Sequence, residues 1–189
     1  MNKNIKVVDL FAGPGGLAEG FSSIFKNNKR RFSIGLSIEK DESAHKTLLL
    51  RSFCRQFQKN KLPKEYYNAI SLDNILDRET KIEELFRSYP IEYKIASEEA
   101  IKFELGKGSE EFLDSKIKKV IGDDDRWVLI GGPPCQAYSM AGRSRVGGIS
   151  SDDHRVYLYK EYLKVIAKHC PSVFVMENVK GLLSAKVDG

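Results

Sequence analysis

Cys135 follows Gly131-Gly132-Pro133-Pro134 and precedes Gln136, just past the apolar run Trp127-Val128-Leu129-Ile130. An apolar run closed by two glycines reads as a buried strand. The prolines remove two backbone donors and fix their own φ, so the chain leaves the sheet in a stiff extended turn that presents Cys135 at the strand's carboxyl end. A thiol there can act as a nucleophile, although a single cysteine after a strand is more often a small buried residue. Glu177 ends a second apolar run, Ser172-Val173-Phe174-Val175-Met176, where a carboxyl group can hold or deliver a proton. A third group is Gly13-Pro14-Gly15-Gly16, whose glycines let the backbone approach a ligand while the helix after them turns free N–H groups toward it. The spacing Gly13-x-Gly15-x-x-Ala18 also fits the dinucleotide fingerprint, and by itself serves a nicotinamide cofactor as well as S-adenosylmethionine.

These groups need strands to carry them. Ile5 to Leu10 predict a strand leading into the glycine turn, and Leu17 to about Phe25 the helix after it. Arg31 to Glu39 alternate Phe32, Ile34, Leu36 and Ile38, which predicts a second strand tipped by Glu39, an acid placed to accept hydrogen bonds from ribose hydroxyls. Asp41 is placed to cap a helix through Ala44, Leu48 and Leu49 to about Phe57. Residues 59–125 read as a helical insertion, with Ala100, Ile101, Phe103 and Leu105 among its amphipathic pieces. A third strand should lie within it, and Ala69-Ile70-Ser71-Leu72 is the candidate, with Asp73 as the acid after it. Tyr138 to Asp153 form a glycine- and serine-rich loop carrying Arg143 and Arg145, placed to close over a substrate with its arginines on phosphates. A helix from about Val156 to His169 and the strand ending at Met176 complete an α/β fold with a mostly parallel sheet, whose strand ends bring the glycine turn, Cys135 and Glu177 to one rim.

The 189 residues, 41% hydrophobic and 30% charged, suffice for one globular domain with a full core. No apolar run approaches the roughly 18 residues of a membrane span, so a cytoplasmic protein is expected, nucleoid-associated if bacterial. Three widely spaced cysteines, Cys54, Cys135 and Cys170, indicate neither a disulfide framework nor a zinc site, and no metal is expected. The net charge of +5 says less than its distribution. Between Lys26 and Lys64 eleven Lys or Arg face three acids, whereas between Asp73 and Asp125 nine face fifteen, so a polyanion should avoid the second region. His45, His154 and His169 read as satisfied or solvated residues and do not support a protease.

Gly-Gly-Pro-Pro-Cys-Gln-x-x-Ser at residues 131–139 resembles the nucleophile motif of the cytosine-C5 DNA methyltransferases. Asp9-Leu10-Phe11-Ala12-Gly13-Pro14-Gly15-Gly16-Leu17 and Glu177-Asn178-Val179 resemble two further motifs of that family, in the family's order. The resemblance covers about residues 5–57 and 127–184 and implies a Rossmann-like, S-adenosylmethionine-dependent methyltransferase fold, incomplete at the carboxyl terminus and without a target-recognition domain. It implies Cys135 as the nucleophile that adds to a flipped-out cytosine, Glu177 at the base's N3, and Arg155 near the flipped base. Phe11 is then expected on the adenosine, Ala12, Gly13, Gly15, Gly16 and Leu17 around the methionine end, Glu39 on the ribose and Leu158 near the cofactor.

The partners implied are double-stranded DNA and a complementing carboxyl-terminal polypeptide carrying target recognition, in a prokaryotic restriction-modification setting. The chain alone is expected to be inactive. The sequence departs from the family in its long insertion and in lacking a Gln-x-Arg-x-Arg motif. Three other readings stand beside this one. A tRNA cytosine methyltransferase shares the motifs, but its Cys-Phe-Thr is absent. A nicotinamide oxidoreductase would explain the glycine turn but not Pro-Pro-Cys-Gln. A non-enzymatic half of a divided methyltransferase would act only with its partner.

Overall fold

In the computed structural model, which describes residues 4–58, 61–106, 108, 110–134 and 158–178, five strands form one parallel sheet. In chain order the elements are β1 (Ile5–Leu10), α1 (Gly16–Ser22), β2 (Phe25–Lys26), β3 (Lys29–Arg30), β4 (Phe32–Glu39) and α2 (Glu42–Arg55). There follow α3 (Lys64–Ile70), α4 (Ile75–Ser88), α5 (Pro90–Glu99), β5 (Ala100–Lys102), α6 (Glu110–Ile121), β6 (Trp127–Gly131), α7 (Leu158–His169) and β7 (Val173–Met176). The sheet order is β5-β4-β1-β6-β7. Chain order therefore reverses between β1 and β6, the switch point at which open α/β sheets bind ligands beyond their carboxyl ends.

Helices cover both faces of the inner strands, which is why β1 and β6 read as nearly continuous apolar runs and not as alternating ones. On one face Val8, Leu10, Leu36 and Leu129 pack with Leu113 and Ile117 of α6 and Tyr162 and Val165 of α7. On the other, Val7, Ile34, Val128 and Ile130 pack with Ala18 of α1. A third cluster, Phe53, Leu85 and Ala96, joins α4 and α5 to α2. The Tyr162 hydroxyl spans β6 and β7, donating toward the carbonyls of Leu129 and Val175 at 3.1 and 3.0 Å. Asp41 caps α2 as its position predicts, accepting from the Ala44 N–H at 2.8 Å. No helix among the described residues is long and apolar enough to cross a membrane.

Three expectations are corrected. The third strand is β5, at residues read above as part of a helix, while Ala69 and Ile70 end α3 and Ser71 caps it. A three-residue strand that leaves α5 without a loop carries too short a run for periodicity to separate helix from strand. Asp73 accordingly lies in the α3–α4 connection, and the acid beyond the third strand is Glu104. Finally, α1 stops at Ser22, because Phe25–Lys26 and Lys29–Arg30 pair as a small hairpin around Asn27-Asn28. Both asparagines have positive φ, 53° and 57°, the backbone a two-residue hairpin turn demands.

Candidate functional site

Five strand ends reach the rim, β5 through Phe103 to Leu105. β1 delivers the glycine turn, in which Phe11 itself takes φ of 56°, a left-handed conformation that is uncommon and costly for an aromatic residue. Gly15 has φ of 88° and caps α1, and a side chain there would strike Leu48 Cδ1 at 2.8 Å. β4 delivers Glu39, whose two oxygens accept from the Gly13 N–H at 2.8 Å and the Asp41 N–H at 2.7 Å. The acid at the tip of the second strand thus pins the glycine turn. Arg51 of α2 holds the same turn from outside by donating to the Pro14 carbonyl at 2.9 Å.

β6 delivers Gly131 to Pro134, and β7 delivers Glu177 and Asn178. The Glu177 N–H donates to the Gly131 carbonyl at 2.9 Å, and the Asn178 amide to the Pro133 carbonyl at 3.2 Å. A Cβ added to Gly132 would lie 3.1 Å from Glu177 Oε2, so the glycine makes room for that carboxylate against the turn. Glu177 therefore stands beside the turn that leads directly into Cys135.

Between these ends lies a cavity of about 180 Å³. Phe11, Ile38, Leu105 and Leu158 supply apolar wall, and Glu39 and Glu104 supply carboxylates. Lys40 also lines it, 3.5 Å from Glu104. Of the residues singled out from sequence, Phe11, Gly13, Glu39 and Leu158 meet at this cavity. Ala12, Gly15 and Gly16 belong to the adjoining turn and the start of α1, and Leu17 packs into the core beside Val7 and Ala18. Glu177 is on the neighbouring strand end. Cys135, Arg155 and the loop with Arg143 and Arg145 lie outside the described residues. Sequence reasoning missed Phe103, Glu104 and Leu105 as wall residues; the alternation Ile101, Phe103, Leu105 was the one signal available.

Asp9 sits directly below the glycine turn, fully buried on β1, and burial pushes its carboxyl up to about 7 against the opposing pull of Arg55. Arg55 is itself buried and bridges Glu19 of α1 and Glu99 of α5.

Comparison with known proteins agrees with this arrangement. Type II methyltransferase M.Bpa9945I of Bacillus paralicheniformis is 31% identical over 191 residues, covering 95% of the chain and 42% of the relative. M1.HphI of Haemophilus parahaemolyticus and M.AquIA of Picosynechococcus are each 49% identical over 57 residues, 30% of the chain and 15% and 21% of those relatives. The chain thus spans less than half the length of these curated relatives. No solved structure matches it significantly. Residues 93–188, about half of the chain, match the family profile described as C-5 cytosine-specific DNA methylase, and together with the parallel sheet and its rim this places the chain in the C-5 cytosine-specific DNA methylase family.

Proposed function

We propose that this chain is the catalytic portion of a DNA cytosine-5 methyltransferase that uses S-adenosylmethionine and acts together with a target-recognition part. The observation that carries the reading is the seating of Glu177 against Gly132, with Asn178 tied to Pro133, which sets a carboxyl group beside the turn into Cys135. The cavity next to it suits the cofactor. Apolar wall from Phe11 and Leu158 accommodates an adenine ring, and Glu39 can exchange a backbone donor for ribose hydroxyls. Among the described residues two carboxylates line the cavity against one cation, Lys40, which already faces Glu104, and this balance favours a sulfonium nucleoside over a pyrophosphate. When bound there, the cofactor supplies an electrophilic methyl group.

The chain's own residues supply the rest. Cytosine C5 is a weak nucleophile until C6 carries a substituent. The Cys135 thiolate forms a bond to C6, and the C5–C6 π pair becomes available at C5. Glu177 holds a proton at N3 and stabilises the charge that builds on the ring. After methylation, loss of the C5 proton and cleavage of the C6–S bond restore the double bond and free the thiol. None of these atoms is reachable in a duplex, so the base must leave the stack. Arg155, near the flipped base, is suited to hold it.

The test is an adduct assay on the assembly of this chain with a target-recognition polypeptide. DNA whose target cytosine carries fluorine at C5 has no proton to lose there, so the chain should be trapped covalently through Cys135, and Cys135→Ser should form no adduct. Turnover by Cys135→Ser close to the wild-type rate would overturn the mechanism. The chain alone should not methylate a defined DNA site.

A further inference from the structure

Five buried side-chain polar atoms among the described residues have no hydrogen-bond partner, and they belong to β1, β4 and α2: both Asp9 carboxyl oxygens, Ser37 Oγ, Ser52 Oγ and Arg55 Nε. Asp9 and Ser37 are register partners on β1 and β4, so they leave the same face of the sheet. Ser52 and Arg55 stand three residues apart on one face of α2, and the Arg55 guanidinium runs to Glu19 and Glu99. Ser52 lies beside Glu99. The charges do not balance. One guanidinium pairs with both Glu19 and Glu99, while its charge and those of Glu39 and Glu99 also act on Asp9, and of these Asp9, Arg55 and Glu99 are buried. Tyr162 of α7 also feels Asp9, and Cys54 feels Glu19 and Arg55. A surplus carboxylate away from water takes up a proton in preference to staying charged, and burial raises both Asp9 and Glu99.

We propose that Asp9 is a positioning residue for the cofactor-binding turn, a buried carboxyl without a hydrogen-bond partner among the described residues that leaves the Arg55 guanidinium free to clamp α1 through Glu19. The proposal rests on the cofactor reading above. Asp9 is two residues before Phe11, and Ser37 beside it is two residues before Glu39, the side chain that pins Gly13. When Asp9 ionises, its carboxylate competes for Arg55 with Glu19, the most exposed partner in the network. The helix that begins at the end of the glycine turn then loses its tie, and the turn loses its set. Cofactor affinity falls as pH rises through neutrality.

Two measurements on the chain test this. Infrared titration of the wild type should show a protonated carboxyl shielded from solvent that ionises near neutral pH, and Asp9→Asn should lack it. Calorimetry with S-adenosylhomocysteine should show wild-type affinity falling about fivefold between about pH 6 and 8.5, whereas Asp9→Asn, which cannot ionise, should keep the low-pH affinity throughout. Parallel pH profiles for the two proteins would overturn the proposal. So would a wild type with no carboxyl titrating near neutrality, even if Asp9→Asn does not fold. The titration appearing without any binding of S-adenosylhomocysteine would remove the cofactor reading and this role with it, while leaving the buried acid itself established.

Discussion

On one side of the β1/β6 boundary, β4 and β1 are buried between helices, and the turn after β1 is held by Glu39 and Arg51. On the other side, β6 is as buried as β1, but β7 leaves Val173 54%, Phe174 51% and Val175 38% exposed. The two sides are stabilised by different physics. The β1/β4 side carries a buried polar cluster with one cation among several acids, in which burial raises the Asp9 and Glu99 carboxyls. The β6/β7 side depends on apolar packing against β6, and β7 pairs only with β6 among the described residues. An exposed apolar edge of that kind invites association with another polypeptide.

Four tests can sharpen or break this contrast. The largest effect is expected from Cys135→Ser, which should lower methyl transfer by the assembled protein at least about a thousandfold while leaving binding of S-adenosylmethionine nearly unchanged. Equal loss of both functions would mean that the two sides are not separable. The second is pH. The folded Asp9 carboxyl titrates near 7, against an unfolded value of 3.8, so the native state holds the extra proton between them. The Asp9 contribution to stability is therefore complete below about pH 4 and is lost as pH rises toward 7, by an upper limit of about 4 kcal/mol. Chemical denaturation across that range should show the decline in the wild type and a flatter profile in Asp9→Asn; identical profiles would place the titrating group elsewhere.

Third, Leu129→Ala, at a fully buried position on β6, should cost about 3 kcal/mol, whereas Phe174→Ala on β7 should cost less than about 1 kcal/mol and reduce self-association. A large loss at Phe174, measured by denaturant melts of the monomeric protein, would show that β7 is covered after all. Fourth, Glu39→Ala should weaken S-adenosylmethionine by about 2 kcal/mol, the worth of a charged acceptor. Calorimetry showing tighter binding of NAD than of S-adenosylmethionine would reverse the cofactor assignment for that side altogether.

Much of this was open to reading in the chain because the informative segments are long and carry unlike signals. β1 with its glycines, β4 with its alternation and terminal Glu39, and β6 with Gly-Gly-Pro-Pro each combine a hydrophobic run with a residue whose backbone or charge has one use there. The insertion resisted the same approach. Ala100–Lys102 is too short for a period to emerge, and outside the insertion the hairpin of Phe25–Lys26 and Lys29–Arg30 begins where the predicted helix was to end. Glu104 could not be picked out, since nothing local separates it from the other acids between Asp73 and Asp125.

The sequence by itself determined the family, the parallel α/β class and the residue types on the rim, because strands of that composition bounded by those turns have few other ways to be satisfied. Only the tertiary structure decided which side chains meet. It set Glu177 against Gly132, turned Glu39 onto the Gly13 N–H, and buried Asp9, Ser37, Arg55 and Glu99. The last four come from four separate elements, and local propensity acts within a few residues, whereas burial and charge compensation depend on packing between segments far apart in the chain.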